Sequence, residues 1–399
     1  MKQGEDQKKF LNALLLIPGV GYETIRKIRE GFYLSPHPRD RISKTLDERH
    51  NASQGEKYRM PNPEGWGGSY EKAWNASPRE LIASGIEQKT AETVERAKKT
   101  VNPDKEMLRL EKNGVTLIEE SDSSFPEILK EIPSPPMWLY IKRNIDERET
   151  TLAVVGSRKA TSYGKEAVEK IISGLSRKTS VTVASGLAVG IDGEAHRSAL
   201  KHGLQTIAVV GSGLDEHSLF PPQHISLMRE IVERGGTIIS EYPLGMPAFK
   251  QNFIQRNRLI AGLSKGTLVV EAAEKSGALI TARFALEQGR SVMAVPGSIF
   301  SPYSKGVNTL ISEGARVITS ADDVIDELCL ETRADRAQDG ARLTDEKEKI
   351  IFENLNMPLK VDELVEKLNL PPADIISRLS MLELKGLVKN MNGEWIRMA

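Results

Sequence analysis

Between residues 151 and 330, short runs of aliphatic and β-branched residues recur at intervals, most of them separated by helical stretches. The runs are Leu152–Val155, Val181–Ala184, Thr206–Val210, Thr237–Ser240, Thr267–Glu271, Ser291–Val295 and Arg316–Ile318. As a set they lack the in/out alternation of a half-exposed strand. Strands apolar on both faces and joined by crossovers make a mostly parallel sheet covered by helices on both sides. In such a doubly wound sheet, ligands sit at the carboxyl ends of strands, where the strand order reverses.

The flanks read differently. Leu11–Ile28 is an apolar helix, the turn Pro18-Gly19-Val20-Gly21 and a second helix. This pattern is like a helix-hairpin-helix, whose glycine turn presents N–H groups to a DNA phosphate. Only Arg26, Lys27 and Arg29 add charge, so a plain αα-hairpin is the preferred reading. Phe32 to Tyr70 is polar and rich in Pro, Asn, Ser and Gly, as a loop or insertion is. Helical patterning returns over Ser77–Val101, with Ser77 as N-cap and Pro78 as first helical residue. Gly114–Ile118 reads as a strand, and Ser124-Phe125-Pro126 and Pro133 to Pro136 punctuate an extended connection to Trp138-Leu139-Tyr140, an edge extension leading into the main domain. Glu331 to Arg342 is a charged linker. After it come three helical segments, Thr344–Leu355, Val361–Leu368 and Pro372–Lys385, then two short strands around Asn392-Gly393. Three helices and a hairpin are the pattern of a winged helix. The expected organisation is a helical domain (1–105), a Rossmann-like, doubly wound, mostly parallel α/β domain (106–330), a linker (331–342) and a winged helix (343–399).

Composition narrows the chemistry. The 55 basic residues balance the 55 acidic ones, so a nucleic-acid site has to be a local patch. The single cysteine, Cys329, excludes an intrachain disulfide framework and a multi-cysteine zinc site; beside Leu328 it is expected to be packed, not reactive. No secretory signal and no run of about 20 apolar residues is evident, so a cytoplasmic protein without a membrane span is expected.

The candidate chemistry lies at the strand ends. Val155 is followed by Gly156-Ser157-Arg158, Ala184 by Ser185-Gly186, Val210 by Gly211-Ser212-Gly213, and Glu271 leads to Ser276-Gly277. Glycines let a ligand approach the backbone, and serines add donors. The stretch Lys250–Thr281 opens on a basic segment, Lys250 to Arg258, read as preceding a short helix over Arg258–Leu263. No acidic residue lies between Glu241 and Glu271, while Lys250, Arg256, Arg258 and Lys265 do. Cations beside strand-to-helix turns are what a phosphate-bearing ligand requires. Neither G-x-x-x-x-G-K-[ST] nor a complete G-x-G-x-x-G is present, which argues against a P-loop ATPase and NAD binding. Asp192 and His196 stand i, i+4 with no third metal ligand, so a structural hydrogen bond is the expected role. Ser157, Ser185 and Ser276 lack a paired base and orienting acid. Glu241 and Glu271 are the one credible carboxylate pair, with capping or pairing to nearby arginines as the plainer reading.

Taken together, these residues resemble the DNA-processing protein A family (DprA, also called Smf). The likeness rests on GSR at 156–158, ASGLAVGIDGEAH at 184–196, AVVGSGLD at 208–215 and SEYPLG at 240–245. It continues with RNRLIAGLS at 256–264, EAAEKSGALITARFALEQGR at 271–290, VPGS at 295–298 and GVNTLISEGA at 306–315. The resemblance implies single-stranded DNA binding without catalysis, cofactor or metal. It also implies loading of the RecA recombinase onto that DNA during natural transformation, and a homodimer formed through the Rossmann-like domain. Arg158, the Ser185-Gly186 turn, Lys250, Phe253, Arg256, Asn257 and Arg258 are the contacts it implies, beside Gly156, Ser157, Gly211, Ser276 and Gly277 at the turns. Cations tracking the backbone and an aromatic stacking a base suit a single strand. Two departures stand out. Ile254 replaces the proline common after the phenylalanine, and Phe220-Pro221-Pro222-Gln223-His224 replaces a more basic stretch. In the expected recognition helix, Asp374 and Glu383 offset Arg378 and Lys385, favouring a protein contact or regulatory role. The alternatives are a nucleotide-hydrolysing enzyme using Glu271, since Gly266-Thr267…Glu271 echoes part of a nucleotide motif, and a nucleotide-sensing module.

Overall fold

A computed structural model describes residues 2–33, 69–145, 150–333, 345–355, 357–385, 387–391 and 393–397. The polar insertion and most of the linker lie outside the described residues. The helices before the sheet are α1 (Lys2–Leu15), α2 (Tyr22–Tyr33), α3 (Ser69–Asn75), α4 (Pro78–Ala83), α5 (Gln88–Ala97) and α6 (Pro103–Lys112). The cap expected at Ser77 is present: its hydroxyl accepts from Glu80 N, Glu80 reaches back to the Ser77 backbone, and Pro78 opens α4.

Nine strands form one sheet. They are β1 (Thr116–Glu119), β2 (Trp138–Lys142), β3 (Thr151–Val155), β4 (Thr182–Ser185), β5 (Thr206–Val209), β6 (Thr237–Ser240), β7 (Gly266–Val269), β8 (Ser291–Ala294) and β9 (Arg316–Val317). Their order is β1-β2-β6-β5-β4-β3-β7-β8-β9. β1 and β2 are antiparallel extensions at one edge, and the remaining seven strands run parallel. The strands expected from the apolar runs agree to within a residue or two. The chain winds outward from β3 to β6, then returns to β7 on the other side of β3, so the order reverses between β3 and β7.

Between β1 and β2 the chain forms α7 (Glu127–Lys130), and between β5 and β6 it forms α10 (Ile225–Glu233). Both faces of the sheet are covered. In β3, Leu152 and Val154 face α8 (Ser162–Lys178), α9 (Ile191–Lys201) and α14 (Ala321–Leu328). Ala153 and Val155 face α11 (Lys250–Gly262), α12 (Gly277–Glu287) and α13 (Lys305–Ser312). That two-sided burial is why these runs carry no polar alternation.

Helices α1–α6 do not build a core of their own. Leu14, Ile25, Ile28, Leu81 and Leu110 join Leu117, Trp138, Tyr140 and Ile238 of the sheet in one apolar cluster. No break in packing falls near residue 105, where a domain boundary was expected. Charge fastens the joint: Arg29 donates to Tyr70 Oη at 2.5 Å, Glu119 at 2.8 Å and Glu120 at 2.7 Å, and is 3% exposed. Tyr140 Oη donates to Asn12 Oδ1 at 2.9 Å. Arg26 is held by Glu23 and Glu30. Two of the three cations of the α1–α2 hairpin are therefore engaged internally, which fits the plain αα-hairpin better than a DNA-contacting one.

The C-terminal unit has its own core, built from Ile351, Phe352, Leu364, Ile375, Leu379, Leu382, Val388 and Trp395. Helices Glu346–Asn354, Val361–Leu368 and Pro372–Leu384 precede the antiparallel strands Val388–Met391 and Glu394–Arg397. Leu359 adds a bridge to Trp395. On the third of these helices Arg378 pairs with Asp345 and Asp374, and just after it Lys385 pairs with Glu348.

Cys329 departs from expectation. It is exposed, not packed, because it terminates α14 in the left-handed conformation (φ 47°), which turns its side chain outward between buried Leu328 and Leu330.

Removing one member of a buried ion network leaves its partners uncompensated, at a cost of about 3 kcal/mol. Arg29→Ala is expected to lower thermal stability by that order, detected by calorimetry. An unchanged melting curve would show that the network does not fasten the N-terminal helices.

Candidate nucleic-acid interface

At the β3/β7 reversal a groove of about 710 Å³ opens across the carboxyl ends of the strands. Its walls are the turn after β3 (Gly156, Ser157, Arg158, Lys159), the outer face of α11 and the turn into α12 (Ala273, Lys275, Ser276, Gly277). Lys250, Phe253 and Asn257 lie at i, i+3 and i+7 of α11, which is one stripe of a helix and explains why all three line the groove. Sequence patterning had placed an irregular segment before a helix at Arg258. One continuous helix from Lys250 replaces it. Its start was hidden because Phe249, at the N-cap, supplies no side-chain cap.

Phe253 sits at the centre. The Arg158 guanidinium carbon lies 5.4 Å from its ring centroid, that of Arg256 lies 5.9 Å away, and Phe220 approaches at 5.8 Å with planes tilted by 54°. Arg158, Lys159, Lys250 and Lys275 are exposed. None of the four has a carboxylate partner among the described residues.

The other two arginines of the motif point inward. Arg256 is 3% exposed and donates from Nη1 to Gly186 O at 2.7 Å and to Val209 O. It thereby ties the ends of β4 and β5 to α11. Burial lowers its pKa to about 10, against the pull of the Asp192 carboxylate, so it stays charged at neutral pH. Arg258 is 9% exposed and donates to Glu241 Oε1 at 2.5 Å. Burial raises the Glu241 pKa, and Arg258 opposes the shift.

Beside the reversal, the turns that lead into α8 and α9 each hold a resident carboxylate. Asp192, in the first turn of α9, accepts from Gly186 N at 3.1 Å and from the N–H groups of Gly156 and Ala188. Glu271 accepts from Thr161 N at 2.9 Å and from Thr161 Oγ1 at 2.6 Å, just ahead of α8. Amides at such positions are the ones that grip a phosphate in nucleotide-binding sheets. Gly190 lets the turns after β3 and β4 pack together. It has φ +87°, and a Cβ there would lie 2.2 Å from Ser157 O.

Of the residues expected from sequence, Gly156, Ser157, Arg158, Lys250, Phe253, Arg256, Asn257, Ser276 and Gly277 line the groove. Ser185, Gly186, Gly211 and Arg258 do not. Ser185 is fully buried and its hydroxyl donates to Val154 O at 2.6 Å, fastening β4 to β3. Gly211 makes room for α11: a Cβ there would come within 3.2 Å of Phe253. Phe220, Lys159, Lys275 and Tyr303 line the groove and were missed as site residues. Phe220 stands where a basic contact seemed absent, so an aromatic occupies that wall. Lys159 and Lys275 adjoin recognised turn residues, and that adjacency was the available signal.

Asp192 and His196 form no metal pair. His196 Nδ1 lies 2.7 Å from Thr206 Oγ1, and burial pushes its pKa down to about 3, so the ring is neutral. Among the described residues no cluster of three His, Cys, Asp or Glu is placed to hold a metal.

The two classes of cation are separable by experiment. Arg256→Ala should cost about 3 kcal/mol of stability, since the buried carbonyls of Gly186 and Val209 lose their donor and the Asp192 carboxylate loses its nearby opposite charge. Arg158→Ala should shift stability by no more than about 0.5 kcal/mol. Denaturant unfolding of both variants tests this, and equal losses would contradict the division.

Comparison with known proteins agrees with the fold and the motifs. The model of the DNA recombination-mediator protein A family matches residues 116–329, and that of the DprA winged helix domain matches residues 332–394. Protein Smf of Escherichia coli K12 is 36% identical over 298 residues, covering 72% of this chain and 79% of its own. DNA processing protein DprA of Streptococcus pneumoniae R6 is 43% identical over 207 residues, covering 52% of this chain and 72% of its own. The X-ray structure of DNA processing protein A from Streptococcus pneumoniae is similar with a TM-score of 0.55 at 32% identity, covering 76% of this chain and 96% of that one. With the whole reversal-point groove inside the matched span, the chain belongs to the DNA recombination-mediator protein A family.

Proposed function

We propose that the groove holds single-stranded DNA and that the chain, as a homodimer in the cytoplasm, protects incoming strands and loads RecA recombinase onto them during natural transformation. The observation that carries the DNA reading is the set of unpaired cations, Arg158, Lys159, Lys250 and Lys275, around Phe253. Cations follow a phosphate backbone, and an aromatic face stacks any base regardless of sequence. A duplex keeps its bases inside the stack, so a recessed phenylalanine favours a single strand. Membership of a family of DNA recombination mediators supports the mediator role and the recombinase partner.

The proposed action is binding without catalysis. Both Glu271 oxygens are held by Thr161, and Glu241 is held by Arg258, which leaves neither carboxylate free as a general base. Asp192 already takes the amides that a nucleotide phosphate would need. These contacts weigh against the nucleotide-hydrolysing alternative. No helix among the described residues is long and apolar enough to cross a membrane.

Fluorescence anisotropy with a labelled single strand, a matched duplex and a salt titration is the test. The single strand should bind more tightly. Arg158→Ala and Lys250→Ala should each lower the salt slope by about 0.7. Phe253→Ala should weaken binding by about 1–3 kcal/mol with the slope unchanged. Loading is then read as recombinase filament growth on strands coated with single-strand-binding protein. Equal affinity for duplex, or unchanged binding by both cation variants, would refute the site.

A further inference from the structure

The loop after β8 presents Ile299 and Phe300 to solvent, 78% and 91% exposed, beside the groove. Phe300 is more exposed than the neighbouring Tyr163 (50%), Phe220 (49%) and Phe249 (48%), and an outward phenylalanine gains nothing in stability. The loop is not loose. Asn308 clamps Gly297 at both its N–H (3.2 Å) and its carbonyl (3.0 Å), and Tyr163 Oη donates to Pro296 O at 2.5 Å. Internal bonds brace the tip: Ser298 Oγ accepts from Phe300 N at 3.2 Å, and Ser298 O accepts from Ser301 N at 3.0 Å. The returning limb is fixed to the groove wall, because Ala272 N donates to Tyr303 O at 2.8 Å and Gly306 N to Ala272 O at 2.8 Å. Tyr303 itself lines the groove.

The loop itself favours a polyanion. No Asp or Glu occurs between Glu287 and Glu313, while exposed Lys305 follows the tip; the adjoining turn carries exposed Lys275 beside exposed Glu274. Aromatic faces interleaved with cations along one path are how single-strand proteins extend their footprint.

We propose that Phe300, supported by Ile299, is a second base-stacking platform, which receives nucleobases of a strand leaving the groove past Lys275 and Tyr303. This rests on the single-strand reading of the groove. It assigns the loop to the DNA path, with the strand running from Phe253 toward β8.

The test compares strands of about four nucleotides, which fill the groove alone, with strands of about sixteen. Phe300→Ala should weaken the long strand about tenfold and leave the short one unchanged, and Phe300→Tyr should restore the loss. A long strand of abasic sites should bind wild type and Phe300→Ala equally. Phe300→Trp should show fluorescence quenching on adding the long strand, not the short. Equal long-strand affinity of wild type and Phe300→Ala overturns the proposal while leaving the groove intact. Equal weakening of abasic and normal strands also overturns it, since stacking would not be the cause. A shift in sedimentation with no change in DNA affinity would assign the tip to protein contact instead. If wild type binds neither strand, the groove reading fails and this one with it.

Discussion

Two buried charges, Arg256 and Asp192, each held by backbone groups and feeling the other's field, set the geometry on which the site depends. Asp192 gathers the N–H groups of the turns after β3 and β4, and Arg256 takes carbonyls from the ends of β4 and β5. A guanidinium has donors enough to reach several acceptors at once, which a lysine in the same place lacks. Each charge is costly to bury, and backbone hydrogen bonds together with the other's opposite charge offset that cost. The consequence is rotational: with Arg256 pointing inward, α11 has no freedom to turn. Phe253, one turn earlier, and Lys250, two turns earlier, must then face the groove. The inward arginine thus decides where the outward lysine and phenylalanine stand.

The same logic explains how a chain of zero formal charge carries a cationic groove. Acidic side chains are drawn into pairs elsewhere, such as Glu216 with Arg229, Glu169 with His202 and Glu230 with Arg234. Asp192, the acid in the groove lining, is buried and bound to backbone amides, as is Glu271 behind it, bound to Thr161. The charged side chains exposed in the lining, Arg158, Lys159, Lys250 and Lys275, are positive, with Glu274 beside Lys275 on the turn into α12. The field is local because the neutralising charges are local, and total charge carries little information about it.

Much of the fold was legible because its strands are buried on both faces, so apolar runs mark them directly. The cap at Ser77 and the winged-helix pattern were legible for a similar reason: local chemistry alone specifies them. What was hidden involves polar residues that face inward. Asn252, Arg256 and Arg258 are buried in α11, which removes the amphipathic pattern and disguised its first half as an irregular segment. Arg258 reads as a DNA contact until Glu241, far away in sequence, is seen to hold it. Phe220 was read as the loss of a cation, although it is the gain of an aromatic wall. Cys329 shows a smaller limit: a residue between two buried leucines is taken as buried unless the left-handed turn at the helix end is known. Apart from Cys329, each miss concerns a partner on another element, beyond the reach of local pattern.

A doubly wound sheet usually grips a phosphate at the helix N-termini of its reversal point. Here Asp192 takes the amides of Gly156, Gly186 and Ala188 in the turns after β3 and β4, and Glu271 takes that of Thr161 ahead of α8, so these amides are closed to an outside ligand. The exposed donors lie one layer further out, on α11 and on the turns beside it. A closed cradle suits a ligand that ends at its phosphate. An open groove flanked by separated cations suits one that enters, passes and leaves. Moving the cations from the cradle to its rim is therefore a change in the kind of ligand admitted, from a mononucleotide to a polymer. It requires no change in strand order, only two acids that face inward where a nucleotide enzyme would keep bare amides.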